Sequence, residues 1–402
     1  MTDSQLGRRA SPHIGARDRI ESVDVVRGII MIIMALDHTR DFFGNAAVSP
    51  TNLAQASVAL FFTRWVTNIC APVFFLLTGA GSYLSLRRRT RPELSRFLVT
   101  RGLWLILIEL TLMRFLLQFN VDYRVTLLTV LWALGWSMTA LGGLVLLPTW
   151  IGTAFGLLLI LTHNVLDAPH DQWLGALAPV WRILHSPSVL NANPDHFLFQ
   201  GYPVIPWIGV TAVGFALGKL FDWPAAQRRS VLLKGGIAIT VGFVALRALN
   251  IYGDPVPWST QRTATYTALS FLNVNKYPPS LLFLMMTLGP ALLLLGALND
   301  RTPRLLRPVL TIGKVPMFYF LLHFGLIHLV AVIVCLVRYG TVHWMFESPS
   351  LDKYPITQPP GWPLTLPLVY VVWIGVVISV YPACRWYASL RKRRTDWWLS
   401  YF

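Results

Sequence analysis

Charged residues are scarce in this sequence, and acidic ones most of all. Asp and Glu account for 18 of the 402 residues and Lys and Arg for 34, so 13% of the chain is charged, about half of what a soluble domain carries. An ordinary soluble globular domain is excluded. Cysteine is nearly absent: Cys70, Cys335 and Cys384 each lie in an apolar stretch, and none has metal-ligand or disulfide-framework spacing. They read as packing residues, and no metal is expected. Residues 1–23 hold no apolar core of their own, which argues against a cleaved signal peptide and makes the first span the anchor. The loops expected outside contain no N-x-[ST] sequon, so nothing points to a glycosylated lumen. No internal repeat is visible, which disfavours transporters built from inverted halves.

Apolar residues, by contrast, make up 54% of the chain, with 16 tryptophans. This composition predicts an all-α polytopic membrane protein. Apolar runs give ten expected spans, near 25–43, 57–86, 102–119, 125–147, 149–166, 201–221, 231–250, 280–298, 315–338 and 364–384. With the N-terminus in the cytoplasm, 24 of the 34 Lys and Arg fall in inner segments, as the positive-inside rule requires. Both termini are then cytoplasmic, and the net charge of +16 is a topology signal rather than a nucleic-acid footprint. The expected organisation is a disordered N-terminus (1–20), a single transmembrane domain (21–386) and a basic cytoplasmic tail (387–402). The outer loops, 167–200, 251–279 and 339–363, are long and rich in Trp, Tyr, Pro and His, and elaborated loops on one face usually carry recognition.

Against this background, DVVRGIIMIIMALDHTRDFF (24–43) stands out. Its uninterrupted apolar run, Gly28 to Leu36, is shorter than the roughly 20 residues a span needs. If it is a span, Arg27 at one end and Asp37, His38 and Asp41 at the other are polar groups at membrane depth. On a helix Arg27 and His38 lie about 20° apart around the axis and roughly 16 Å apart along it. They share a face, with Asp24 and Asp41 within about 40° of it. Asp37 and Arg40 point elsewhere. Asp41, three residues after His38, could hold its imidazole and set the tautomer. The alternative is a cationic anchor followed by an interfacial helix end.

Other ionisable groups sit inside apolar runs, where each needs a partner from another helix. In RGLWLILIELTLMRF, Glu109 and Arg114 are about 140° apart and cannot easily pair with each other; Arg27 is the expected partner of Glu109. In GKVPMFYFLLHFGLIHLVAV, His323 and His328 do not share a face as metal ligands would. They either bond between helices or one lines the cavity of His38. Arg64 and Asn68 precede Pro72 in RWVTNICAPVFFLLTG, and Pro203 and Pro206 interrupt YPVIPWIG. Proline inside a span leaves carbonyls that must line a cavity or meet a side chain.

Several segments resemble a known family: RIESVDVVRGIIMIIMALDHTRDFF, APVFFLLTGAGSYLS, RGLWLILIEL, YPVIPWIGVTAVGFALGKLF, KYPPSLLFLMMTLGPALLLL and GKVPMFYFLLHFGLIH. The chain is similar to bacterial membrane proteins with a heparan-α-glucosaminide N-acetyltransferase-like domain, within the transmembrane acyl transferase superfamily. The resemblance covers nearly everything after residue 19. It implies acetyl-CoA as acyl donor from the cytoplasmic side, a saccharide or envelope-glycan acceptor on the other, and residence in the bacterial inner membrane. The superfamily's Arg-x10-His pattern falls on Arg27 and His38 and implies a catalytic His38. A histidine often stands in that family where this chain has Asn68, which can hydrogen-bond but cannot act as a base. On this reading His38 is the general base and Asp41 orients it. Asp24, Arg27, Asp37, Asn68, Glu109, Arg114, His323 and His328 support the site or donor path, and Arg27, Arg101 and Lys314 meet the CoA phosphates. Lipids and the glycan are the expected partners, nucleic acid is not, and a homodimer is an admissible assembly. The competing class is a transporter of a small polar or anionic solute, its pathway lined by the same ionisable residues.

Overall fold

The structure, a computed structural model, describes residues 20–167, 174–193, 196–299, 302–347, 350, 353–394, 396 and 399. Apart from Ile20, the expected disordered N-terminus lies outside the described residues. The helices are α1 (Glu21–Phe43), α2 (Val58–Thr67), α3 (Cys70–Leu84), α4 (Arg91–Ile108), α5 (Arg114–Gln118), α6 (Val130–Leu144), α7 (Thr149–Thr162), α8 (Ala178–His185), α9 (Val204–Gly218), α10 (Ala225–Leu249), α11 (Ala264–Leu272), α12 (Leu281–Leu298), α13 (Arg307–Gly313), α14 (Pro316–Tyr339) and α15 (Leu366–Arg393). A π-helical turn, Glu109–Met113, joins α4 to α5. The boundary expected at 386 falls inside α15, so the basic residues Arg391, Lys392 and Arg393 are helical.

Among the described residues seven helices are long and apolar enough to cross a membrane: Val58–Arg87, Thr149–Leu166, Val204–Asp222, Ala225–Leu249, Leu281–Leu298, Pro316–Tyr339 and Leu366–Arg393. This is an integral membrane protein. The other expected spans differ for physical reasons. Charges interrupt α1 and the continuous rod from α4 to α5. The segment expected at 125–147 opens as a strand, leaving α6 with 15 residues.

That strand corrects the all-α expectation. Val125–Leu128 (β1) pairs in parallel with His196–Gln200 (β3), which pairs antiparallel with Ser188–Asn193 (β2). The register sets Val125 against Phe197 and Leu128 against Gln200, and an irregularity falls between Val189 and Asn191. β-Branched and aromatic residues favour this conformation where a half-buried sheet can form, but a short apolar run does not by itself distinguish strand from helix.

Local chemistry sets the helix ends. Ser57 and Ser280 accept bonds from Leu60 and Phe283 N–H at 3.2 and 3.0 Å, capping α2 and α12. Thr90 and Glu93 form a capping box on α4. The prolines of YPVIPWIG mark a helix start: Pro203 is the N-cap of α9 and Pro206 lies in its first turn. Pro72 likewise lies in the first turn of α3, after a break at Asn68 and Ile69. These prolines therefore begin helices rather than opening cavities in mid-span.

Helix α1 occupies the centre, in contact with α2, α3, α12, α13, α14 and α15. The outer helices expose apolar side chains such as Val241 and Val244 on α10 and Ile374 and Ile378 on α15, as contact with lipid requires. The approach of α1 to α13 depends on two glycines. A Cβ on Gly28 would lie 2.1 Å from the Val309 carbonyl oxygen, and one on Gly313 1.7 Å from that of Asp24. Gly313→Ala is therefore expected to push the helices apart and destabilise the protein by about 1–3 kcal/mol. The measurement is the thermal midpoint in detergent, with Gly375→Ala as control, because a Cβ there meets nothing within 4 Å.

Candidate active site

Buried polar groups need partners, and α1 finds its own at two levels. At its first turns the Arg27 guanidinium donates to the Asp24 carboxylate at 2.7 Å and approaches the Gly313 carbonyl oxygen at 3.5 Å. Ten residues beyond Gly313 on α14, and eleven beyond Arg27 on α1, two histidines meet. The His38 Nδ1–His323 Nε2 distance is 2.7 Å, and His323 Nδ1 lies 2.8 Å from the Tyr319 carbonyl oxygen. Helices α1 and α14 thus run side by side in the same direction, and the histidine pair lies roughly 16 Å from Arg27 along α1.

Aromatic rings hold the pair. Phe324 stacks on His38 with centroids 3.8 Å apart, Phe320 meets it edge-on at 6.1 Å, and Tyr319 stacks on His323 at 5.1 Å. His323 is fully buried, whereas His38 keeps part of its surface accessible. Among the described residues Nε2 of His38 makes no hydrogen bond.

One turn away lies a network of two carboxylates and two guanidiniums. Asp37 is paired with Arg40 at 2.9 Å and Arg64 at 2.8 Å, and Arg40 also binds Asp41 at 2.6 Å. Arg64 reaches Thr67 Oγ1 at 3.1 Å. The charges are balanced in pairs, which is what allows their burial. Asp41 therefore engages Arg40 and is not the residue that holds the His38 imidazole; His323 is. Arg40 was expected to point away from the site and instead joins its two aspartates. The last carbonyls of α1 are bonded too, by Trp362 Nε1 to Phe42 and Leu364 N–H to Phe43, each at 2.8 Å.

Outside this network is a cavity of about 260 Å³ lined by Arg40, Asp41, Asn45, Ala46, Val48, Ser49, Pro50, Leu60 and Tyr354. It is compact beside the roughly 300–1,000 Å³ of drug-sized pockets, and polar on several sides. Burial, then the nearby Asp41 carboxylate, pushes the Tyr354 phenol well above its usual range, so Tyr354 stays a neutral hydroxyl able to donate or accept. Tyr354 drew no attention in the sequence, because an aromatic loop residue carries no local mark of which helix end it will cover.

The remaining candidates lie elsewhere. Glu109 does not meet Arg27: Oε1 accepts the Thr129 N–H at 2.7 Å and the Thr129 hydroxyl, so its carboxylate caps the start of α6. Arg114 binds the Asn120 carbonyl and, at 2.9 Å, Asp122, with its guanidinium 4.5 Å over Tyr123. It ties down the 119–124 turn rather than facing an outer cavity. Burial raises the Asp122 carboxyl, but bonds from Arg124 and Arg114 outweigh this and hold it below its usual range. Both ring nitrogens of His328 face carbonyl oxygens, Leu116 at 3.0 Å and Met345 at 2.7 Å, leaving none for a substrate. Asn68 lies at the break between α2 and α3. Arg391 donates to the Lys314 carbonyl at 3.0 Å, and Arg101 on α4 lies with its guanidinium 5.9 Å from the Phe97 ring centroid. Basic residues thus gather at the Arg27 end of α1.

A bundle of membrane-crossing helices around a charged central helix, with a partly accessible histidine between a basic end and a polar cavity, defines an integral membrane protein with an internal polar site. The family model for heparan-alpha-glucosaminide N-acetyltransferase, catalytic, matches residues 19–253, more than half of the chain, and the chain belongs to that family. His38 lies within the match and His323 beyond it. No curated protein matches the chain.

The network predicts its own sensitivity. Arg64→Met leaves Asp37 with one cation in place of two and is expected to destabilise by about 3 kcal/mol, with part of the loss recovered in the Arg64→Met/Asp37→Asn double variant. Thermal unfolding in detergent checks it. Because Asp122 is held below its ordinary value, its bonds contribute fully above that value and are lost as pH falls through the lowered one; Asp122→Asn should remove this acid-side dependence from the unfolding midpoint.

Proposed function

We propose that the chain is an acetyl-CoA-dependent acyltransferase of the bacterial cytoplasmic membrane, with ten spans, both termini cytoplasmic and residues 21–386 as one catalytic unit. The acceptor is an amine or hydroxyl of a saccharide or envelope glycan. The observation that carries this reading is the placement of His38: on one helix face it stands between the basic end at Arg27, Lys314 and Arg391 and the polar cavity at Arg40, Asp41 and Tyr354.

In this mechanism the donor enters from the basic end, where Arg27, Arg101 and Lys314 meet its phosphates with charged donors, and its thioester reaches His38. The acceptor occupies the polar cavity. His38 takes the acceptor's proton as the nucleophile attacks the thioester carbonyl, a role worth about 10²–10⁴ in rate for a positioned base. Family membership supports acetyl transfer; the paired Asp37–Arg40–Asp41–Arg64 network supports a site that holds polar groups at depth.

The test uses purified protein in liposomes with labelled acetyl-CoA and a panel of glucosamine-type acceptors. His38→Ala is expected to lower transfer at least about 100-fold in protein that still unfolds cooperatively, with a midpoint lowered by the loss of its contacts to His323 and Phe324. Unchanged transfer by His38→Ala would remove His38 from the mechanism. Solute uptake without consumption of acetyl-CoA would instead make the protein a transporter.

A further inference from the structure

We propose that His323 is the positioning residue of the reaction: it fixes the tautomer of His38 so that Nε2 presents a lone pair to the acceptor, and it shares the proton that His38 takes up. This rests on the reading of His38 as the base.

The inference follows from counting protons along one line of contacts. A carbonyl oxygen only accepts, so the 2.8 Å contact from His323 Nδ1 to the Tyr319 carbonyl places a proton on that Nδ1. A neutral imidazole has one N–H, which leaves Nε2 of His323 as a lone pair. The 2.7 Å contact from this Nε2 to His38 Nδ1 needs one proton between the two nitrogens, and it therefore belongs to His38 Nδ1. The other nitrogen of a neutral His38, Nε2, is then unprotonated. The rings of Phe320, Phe324 and Tyr319 around the pair disfavour a resting charge there. Histidine in water favours the opposite tautomer, with the proton on Nε2, so the orientation needs a partner. Asp41 does not serve as that partner, because its carboxylate lies against Arg40 at 2.6 Å.

The chemistry balances. As the acceptor nitrogen or oxygen bonds to the acyl carbon, its proton passes to His38 Nε2, the carbon–sulfur bond breaks and its electron pair leaves on the thiolate. The proton on His38 Nδ1 shifts toward His323 Nε2, so the positive charge is spread over two rings while the Tyr319 carbonyl continues to accept from His323. Return of the proton to the thiolate gives the free thiol and restores the neutral pair. Where a carboxylate partner would hold that charge as a fixed ion pair, a second imidazole leaves it mobile.

The experiment uses the full chain labelled with ¹⁵N-histidine in lipid nanodiscs, with His38 assigned by the signals lost in His38→Asn. The parent protein should show His38 protonated at Nδ1 and bare at Nε2. His323→Phe keeps a ring but removes the acceptor; it should move His38 toward the Nε2–H form and lower kcat about 100-fold, with KM for acetyl-CoA within about threefold. His323→Gln retains an acceptor oxygen and should keep more activity than His323→Phe. An Nε2–H signal for His38 in the parent protein overturns the proposal outright, whether or not the variants fold. So does a His323→Phe protein with parental kcat and tautomer. If instead His38→Ala still transfers acetyl groups, the reading of His38 as base fails, while the tautomer measured in the parent protein still decides whether His323 positions it.

Discussion

Ionisable side chains inside a membrane protein must be satisfied by other protein groups, because lipid tails can do nothing for them. Helix α1 carries Asp24, Arg27, Asp37, His38, Arg40 and Asp41, and the bundle is arranged around that fact. A helix so charged cannot sit at the lipid boundary. It is placed at the centre, and three of its neighbours each answer one of its groups: α13 through the Gly313 carbonyl at Arg27, α14 through His323 at His38, and α2 through Arg64 at Asp37. Glycines at 28 and 313 let the backbones come close enough for the first of these. The peripheral helices α7, α10 and α15 carry exposed apolar side chains such as Leu158, Val241 and Ile378 on their outer sides.

The polar groups then divide by whether they retain capacity for a further partner. Arg247 is filled, bonded to the carbonyls of Val256, Ser270, Phe271 and Asn273, and so is His328 between two carbonyls. Glu109 commits one carboxylate oxygen, Oε1, to the start of α6. Such groups fasten loops and helix ends. In His38 one ring nitrogen is bonded to His323, and the ring keeps part of its surface accessible.

Much of this was legible in the sequence, and the limits have physical causes. The helical membrane character followed from apolar length and basic loops. His38 stood out because it ends a short apolar run on the face that carries Arg27, which was simple helix geometry, although an interfacial helix end fitted the same pattern. Pairings between elements were not legible: Glu109 with Thr129 and His38 with His323 depend on how separate elements are rotated, which a one-dimensional pattern does not carry. The strand at Val125–Leu128 was missed because its apolar run continues without a break into α6, and its partner lies some seventy residues later in β3. The prolines at 72, 203 and 206 were expected inside spans and instead lie at helix starts, because whether a proline starts a helix or kinks one depends on the residues before it.

The contact between His323 and the Tyr319 carbonyl has a consequence for how this site can change over time. That oxygen belongs to the main chain of α14, one turn below His323, so the far end of the line that orients His38 is not a side chain at all. No replacement of residue 319 deletes it. The direction of the His38 ring is referred to the helix's own peptide framework. What cannot drift is the regularity of that one helical turn.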